Sequence, residues 1–352
     1  MPSDALTSAA VKARAREAGF DLCGVTSAIQ HPRLSRLAGW IDRGFAGEMT
    51  YLARSRGERA DPRRVLPTAR SVVSLACLYN TDAPYSTTAA KPGRAAIARY
   101  AWGDDYHDVL RARLRRLVEW MAEACDQDLE AFSCVDNGPI QERVFAEQAG
   151  LGWIGKNTCL INPSLGSWLF LAEILTSAEL EADTPGVDQC GTCTRCLDAC
   201  PTGAIVEPYV LDATRCLSYL TIETRGLVAE PLRASMGPQI VGCDICQDVC
   251  PWNRRAPASA DPAWQARDGL AFPSLIDLCA RSDEAWRRDL TGSAMRRAGL
   301  RRIRRSLAYA AARLAPDDAA RALDALASHP SAGDEVVSEA IAWARHAVHS
   351  AP

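Results

Sequence analysis

Apolar and polar positions recur along this chain with a period that changes from segment to segment, and each period predicts an element. Residues 4–18 repeat at helical spacing and predict an amphipathic helix entered at Ser3 or Asp4. FDLCGVTSA reads as a strand, and SVVSLACLY, apolar almost throughout, as a buried one. Between 104 and 125, Leu110, Leu114, Leu117, Val118 and Met121 fall on one helical face, with arginines on the other. LEAFSCVDNG predicts a short strand ending at Asp136. A helix over about 139–149, a glycine-rich turn at GLGWIGKN and a strand at SWLFLAEIL follow.

Helix–strand alternation to residue 178 predicts an α/β domain over 1–178. From 179 to 255 periodicity fades while Cys, Pro and Gly accumulate, as expected where clusters replace an apolar core. The segment APASADP (256–262) predicts a linker into a helical tail spanning 256–352. There Ile303, Leu307, Ala311 and Leu314 share a stripe, and helical patterns near 317–328 and 334–348 suggest a HEAT-like repeat.

The 352 residues carry 40 Lys and Arg against 43 Asp and Glu, a net charge of −3, so any nucleic-acid contact must come from a local patch. No apolar run approaches the roughly 18–20 residues of a membrane span, and neither an apolar leader nor a twin-arginine signal opens the chain. The expectation is a cytoplasmic protein with no membrane partner. In a reducing compartment its 14 cysteines are metal ligands rather than disulfides.

Their spacing says which. CGTCTRCLDACPTGAI places Cys190, Cys193, Cys196 and Cys200-Pro201 in the C-x2-C-x2-C-x3-C-P run of bacterial ferredoxins, whose fourth cysteine ligates the other cluster. CDICQDVCPWN repeats the ending but lacks one cysteine. With Cys200 lent forward and Cys250 lent back, Cys243 and Cys246 need one more ligand. Cys216 is the unassigned cysteine between the two runs. Two [4Fe–4S] clusters then balance on eight thiolates. A zinc reading explains neither the triple run nor the Cys-Pro endings. Cys23, Cys77, Cys125, Cys134, Cys159 and Cys279 lie in apolar patterns and read as packing residues.

The clusters make an electron wire without naming a substrate. No GxGxxG follows a strand, and Asp105-Tyr106-His107 opens a D-x-H-x-x-G pattern that fails at Leu110. Asp136, at a strand end, is a proton donor if shielding raises its pKa, or equally a helix N-cap. GLGWIGKN brings Gly152 and Gly155 together with Lys156 and Asn157, in a turn that taken alone could be an ordinary loop. From Met295 to Arg305 there are six arginines, with Arg297, Arg301, Arg304 and Arg305 expected on one side of a helix. Such a side is either a solvated face or a phosphate contact.

VDNGPIQERVFAEQAGLGWIGKN, RYAWGDDYHDVL and the two cluster runs together resemble the epoxyqueuosine reductases, over residues from about 10 to 310. The resemblance implies an α/β cobalamin-binding domain, a ferredoxin-like domain with two [4Fe–4S] clusters, and a helical C-terminal region. It implies reduction of epoxyqueuosine to queuosine in the anticodon stem-loop of tRNA, with Asp136 as proton donor and base-off cobalamin. Its ligand sets are Cys190, Cys193, Cys196 and Cys250 for one cluster, and Cys200, Cys216, Cys243 and Cys246 for the other. Cobalamin contacts would be Arg59, Ala98, Asp136, Lys156, Asn157, Thr158 and Ser218, and Arg297, Arg301, Arg304 and Arg305 would meet tRNA. A monomer served by a flavodoxin or ferredoxin is expected. The rival readings are a reductive dehalogenase acting on a small organohalide and a plain electron-transfer protein.

Overall fold

The computed structural model describes residues 6–89, 91–125 and 128–350. Four of the expected strands form one sheet in the order Leu22–Ser27, Ser71–Leu78, Leu169–Thr176, Ala131–Cys134. Every pairing in it is antiparallel. The expected α/β alternation is therefore present in the chain but does not produce parallel strands. The central Ser71–Leu78 strand is buried at every position, as its unbroken apolar run requires.

The first helix is Ser8–Glu17, and Thr7 caps it by accepting the Ala10 N–H at 3.2 Å. The expected start at Ser3 or Asp4 lies outside the described residues. The long helix is Tyr106–Ala124, with Leu110, Leu114, Leu117 and Met121 buried against the sheet, Arg111, Arg115 and Arg116 outside, and Arg113 turned in to Gly19 and Asp261. Asp105 caps it through the His107 N–H at 3.1 Å, which fixes the orientation of that first turn.

The expected domain limits do not coincide with separate cores. Ala96–Ile97 pairs in parallel with Gln239–Val241, joining the first segment to the cluster segment. One apolar core then runs from Ile97 and Trp102 through Leu217, Leu220 and Ile240 to Ile303, Leu307, Leu323 and Ile341. The tail helices Gly299–Ala311, Pro316–Ala327 and Glu335–Ser350 pack on one another, and the first of them packs on the Gln239–Val241 strand. No described helix is long and apolar enough to cross a membrane.

Candidate functional site

A cavity of about 430 Å³ opens where the sheet, the long helix and the Leu217–Ile222 helix meet. Its walls are largely apolar, with Tyr79, Tyr100, Tyr106, Leu169, Phe170 and Leu171 among the lining residues. Tyr106 stacks on Phe170 with centroids 4.4 Å apart and planes 7° apart, and on the His107 ring at 4.1 Å, so a rigid aromatic stack forms part of the wall. A few polar groups converge on this apolar shell, the arrangement of a cofactor or substrate site.

Asp136 is the centre of that polar set. It stands two residues beyond the Ala131–Cys134 strand with φ +57°, a left-handed conformation that costs a non-glycine residue about 1–3 kcal/mol. It is not an N-cap: the next helix, Glu142–Gln148, is capped at Gln141 without a side-chain bond. Tyr106 Oη donates to Asp136 Oδ2 at 2.8 Å, His107 Nε2 lies 3.8 Å away, and an Arg297 nitrogen lies 3.8 Å away. Burial alone would raise the carboxyl's pKa. The adjacent His107 imidazole, the Tyr106 bond and the Arg297 charge outweigh it and hold the group down at about 2.

This corrects the expected neutral acid. The surroundings favour the carboxylate of Asp136, because Tyr106, His107 and Arg297, remote from it in sequence, converge on it in the fold. Burial works against the His107 imidazolium, but Asp136 and Asp105, which holds Nδ1 at 2.8 Å, raise its pKa above the ordinary value.

The cysteines separate into two groups. Cys190, Cys193, Cys196 and Cys250 all line a second cavity of about 240 Å³, with Lys156 and Asn157 at its edge. Cys200, Cys216, Cys243 and Cys246 form another neighbourhood. Burial raises the Cys243 thiol, and proximity to Cys216 and Cys200 adds to it; Cys246 in turn feels Cys243 and Cys216. Among the described residues no three His, Cys, Asp or Glu close around a point where one ion would sit, whereas a cubane spreads its thiolates around a cube. Cys216 also lines the large cavity, so one thiol of the second group is in its wall.

Residues 189–253 match the 4Fe-4S double cluster binding domain, and residues 59–137 match the epoxyqueuosine reductase QueG, DUF1730 family. An epoxyqueuosine reductase of Gloeobacter violaceus is 46% identical over 85% of this chain and 95% of its own length. That of Escherichia coli K12 is 41% identical over 93% of this chain and 86% of its own. The chain belongs to the epoxyqueuosine reductase family. A crystal structure of an epoxyqueuosine reductase with an epoxyqueuosine-modified tRNA-Tyr stem loop superposes with a TM-score of 0.86 at 33% identity, covering 97% of this chain and 89% of that one. A Bacillus subtilis epoxyqueuosine reductase, solved with its catalytic aspartate loop swung out of the active site, gives 0.85 at 32% identity over 97% of this chain and 90% of that one.

Against this epoxyqueuosine reductase frame, the residues expected to touch cobalamin scatter. Asp136 and Ser218 line the large cavity. Arg59 instead binds the carbonyls of Gly138 and Ile140, both at 3.0 Å. Ala98 donates its N–H to Val241 at 2.8 Å in the parallel pairing. Lys156 Nζ binds the carbonyls of Gly191 at 2.6 Å and Cys193 at 3.0 Å, and Asn157 Nδ2 reaches that of Cys246 at 3.4 Å. Thr158, at φ +65°, turns its carbonyl to Arg143 at 3.0 Å. The GKNTC loop is thus wedged between the two cysteine runs. Cys159, read from sequence as a packing residue, lies beside Cys246 there, and that neighbour lowers its thiol to about 7.

The four arginines expected to meet tRNA do not share a face. Arg297 lines the cavity and binds Glu223 at 2.8 Å, and Arg301 is half exposed and paired with Asp334 at 3.0 Å. Arg304 and Arg305 are both 0% exposed. Arg304 is spent on Asp283 at 2.8 Å and on the carbonyls of Cys279 and Arg281, and Arg305 on those of Leu220, Thr224 and Gly226. The helix is covered on two sides, so these guanidinium groups satisfy chain ends instead of phosphates. Sequence reasoning also missed Tyr106, His107, Glu142 and Arg143, all in the cavity wall. The Asp105–His107 spacing was the available signal for His107.

Proposed function

We propose that this chain reduces epoxyqueuosine to queuosine at the wobble position of a tRNA anticodon stem-loop. Electrons would pass through two [4Fe–4S] clusters to a base-off cobalamin, and Asp136 would deliver a proton to the departing oxygen. The observation that carries the reading is that Cys216 and Asp136 line one aromatic cavity. A thiolate of an iron–sulfur cluster and a proton-handling carboxylate are thereby brought to the same space. The stem loop bound by the 33% identical relative supports tRNA as the substrate.

Cys190, Cys193, Cys196 and Cys250 would hold one cluster, and Cys200, Cys216, Cys243 and Cys246 the other. The first set lies at the surface, with Gly191, Thr192, Thr194 and Arg195 exposed around it, so a small donor such as a flavodoxin or ferredoxin would meet the chain there. The aromatic walls and Ser218 suit a flat macrocycle. The nearest imidazole, His107, is held between Asp105 and Asp136, which suits a cofactor without a protein ligand to its metal. When bound, cobalamin supplies a cobalt centre that gathers electrons singly and passes two of them to the epoxide.

Opening the epoxide to the alkene consumes two electrons and two protons and releases water. Asp105 accepts from His107 Nδ1 and so turns Nε2 toward Asp136. One proton would then move from His107 to Asp136 and on to the oxygen and the second would come from solvent by the same two groups, with Tyr106 and Arg297 fixing the carboxylate. Of the four arginines, Arg301 remains for the stem-loop phosphates; Arg297 is taken up by Glu223 and Asp136, and Arg304 and Arg305 are buried. The Bacillus subtilis relative holds its catalytic aspartate loop outside its active site, and we infer the same freedom for residues 135–141 here. The enzyme would act as a cytoplasmic monomer.

The test is anaerobic. The clusters are reconstituted, cobalamin and a chemical reductant are added, and the protein is incubated with tRNA carrying epoxyqueuosine. Queuosine found by mass spectrometry only when cobalamin is present is the expected result. Bound cobalamin with no queuosine would overturn the substrate, and equal yield without cobalamin would overturn the cofactor.

A further inference from the structure

Residues 135–141 form neither helix nor strand, yet they carry Asp136 in a left-handed conformation. Such a backbone persists only where its surroundings over-determine it. The bonds that do so are few and unevenly placed. Asp136 donates its N–H to Glu142 Oε1 at 2.6 Å. Arg59 takes the carbonyls of Gly138 and Ile140, while Ser55 Oγ holds its Nε at 2.9 Å. Gln141 Nε2 donates to the carbonyls of Leu34 and Arg59, each at 2.9 Å. Tyr106 Oη donates to the Asp136 carboxylate at 2.8 Å, and the Asn137 N–H makes a local bond to Val135 at 2.6 Å. Its position is also steric: a Cβ on Gly138 would fall 2.6 Å from the Cys134 side chain, so that turn lies directly on the strand end.

We propose that Glu142 is a positioning residue that latches this loop, accepting the Asp136 N–H so that the carboxylate faces the cavity, while Arg59 anchors the loop's far end. The inference deepens the reading above and rests on Asp136 acting in that cavity. Its chemistry is that of an acceptor and needs no charge. Burial and the neighbouring Asp136 carboxylate push the Glu142 acid up to about 8, so at neutral pH it is mostly the neutral acid. A glutamine, with an oxygen in the same place, should therefore replace it. A side chain without that oxygen should not, because Asp136's N–H would then face Glu142's vacated space with no partner. Arg59 and Gln141 would still hold the far end, leaving the Asp136 end with the Tyr106 bond to its side chain and none to its backbone N–H.

The experiment uses the full chain with its clusters in place and compares Glu142→Ala with Glu142→Gln. Amide hydrogen exchange of the peptide spanning 135–141 is followed without tRNA. Then kcat and KM are measured with cobalamin and an epoxyqueuosine stem-loop. Losing one hydrogen bond should speed exchange of that peptide by about 3–10-fold and lower kcat by a similar factor, with KM unchanged, in Glu142→Ala. Glu142→Gln should stay within about twofold of the parent in both, since its amide oxygen still accepts. If Glu142→Ala folds poorly, Arg59→Gln tests the other anchor and should speed exchange of the same peptide. Unchanged exchange in Glu142→Ala would overturn the latch, and so would a Glu142→Gln variant as impaired as Glu142→Ala, which would make the proton and not the acceptor the point. Exchange needs neither tRNA nor turnover, so failure of the Asp136 reading would show only in the activity arm.

Discussion

His107 Nε2 lies 3.8 Å from Asp136 Oδ2, and the same imidazole is held at Nδ1 by Asp105 at 2.8 Å. The two groups favour each other's charge: the imidazole lowers the Asp136 carboxyl's pKa, and the two carboxylates raise that of the imidazole. Replacing Asp136 by Asn removes the group that passes the proton on, while leaving cavity shape and cysteines intact. Asp136→Asn should keep the cluster and cobalamin absorbance and lose about 10²–10⁴-fold in turnover. Single-turnover formation of queuosine checks it, and a full rate would remove Asp136 from the chemistry.

The proton on His107 has a direction in pH. Its pKa is raised, so the imidazolium is complete at low pH and is lost as pH rises through that raised value. The rate of the chemical step should fall over that window. In His107→Gln the rate should be about 10²-fold lower and no longer fall there, as a single-turnover pH profile would record.

Cys216 tests the division of the thiols. It lines the large cavity and neighbours Cys200 and Cys243. Cys216→Ala should disturb one cluster and spare the other, lowering iron from about eight per chain and changing one of two cluster signals in the electron paramagnetic resonance spectrum. Loss of both signals together would count against the assignment.

Arg301 and Arg304 should behave oppositely. Arg304 is buried against Asp283, and its loss leaves a buried carboxylate without its cation, a change that costs about 3–5 kcal/mol. Arg304→Ala should unfold at clearly lower temperature. Arg301→Glu, at a half-exposed position, should keep its melting temperature and bind the stem-loop more weakly, by a factor that shrinks as salt rises. Unchanged binding would take Arg301 out of the interface.

Glu142 also has a stability signature. Its pKa is raised from 4.5 to about 8, so the folded chain keeps a proton that the unfolded chain releases. Stability attached to this group is present below the unfolded value and declines as pH climbs from there toward 8. Glu142→Gln, which cannot ionise, should gain about 2–4 °C in melting temperature over the parent at pH 8 and nothing at pH 5. Equal melting temperatures at both values would mean the carboxyl is ionised in the fold.

The strands, the long helix and the tail helices were legible because burial imposes a period on the sequence, and Leu110, Leu114 and Leu117 obey it. The cysteine runs were legible for another reason: a cubane wraps a short turn, so its ligands must be close in sequence. Cys216 could be found by counting alone. The basic stretch misled because periodicity says which residues share a helical side and nothing about what covers that side. Arg304 meets Asp283, and Arg305 meets carbonyls from 220 to 226.

The residues themselves determined the secondary structure, the two cysteine groups and the family motifs, since each depends on neighbours within a few positions. The state of Asp136 was decided only in three dimensions. Its donors come from residues 106, 107 and 297, and its N–H acceptor from 142. A pKa is set by whatever charge and hydrogen bond stand within a few ångströms, and no local pattern records which distant segments those will be. The same reason governs Lys156, whose ammonium is committed to the carbonyls of Gly191 and Cys193 by a loop wedged between two cysteine runs.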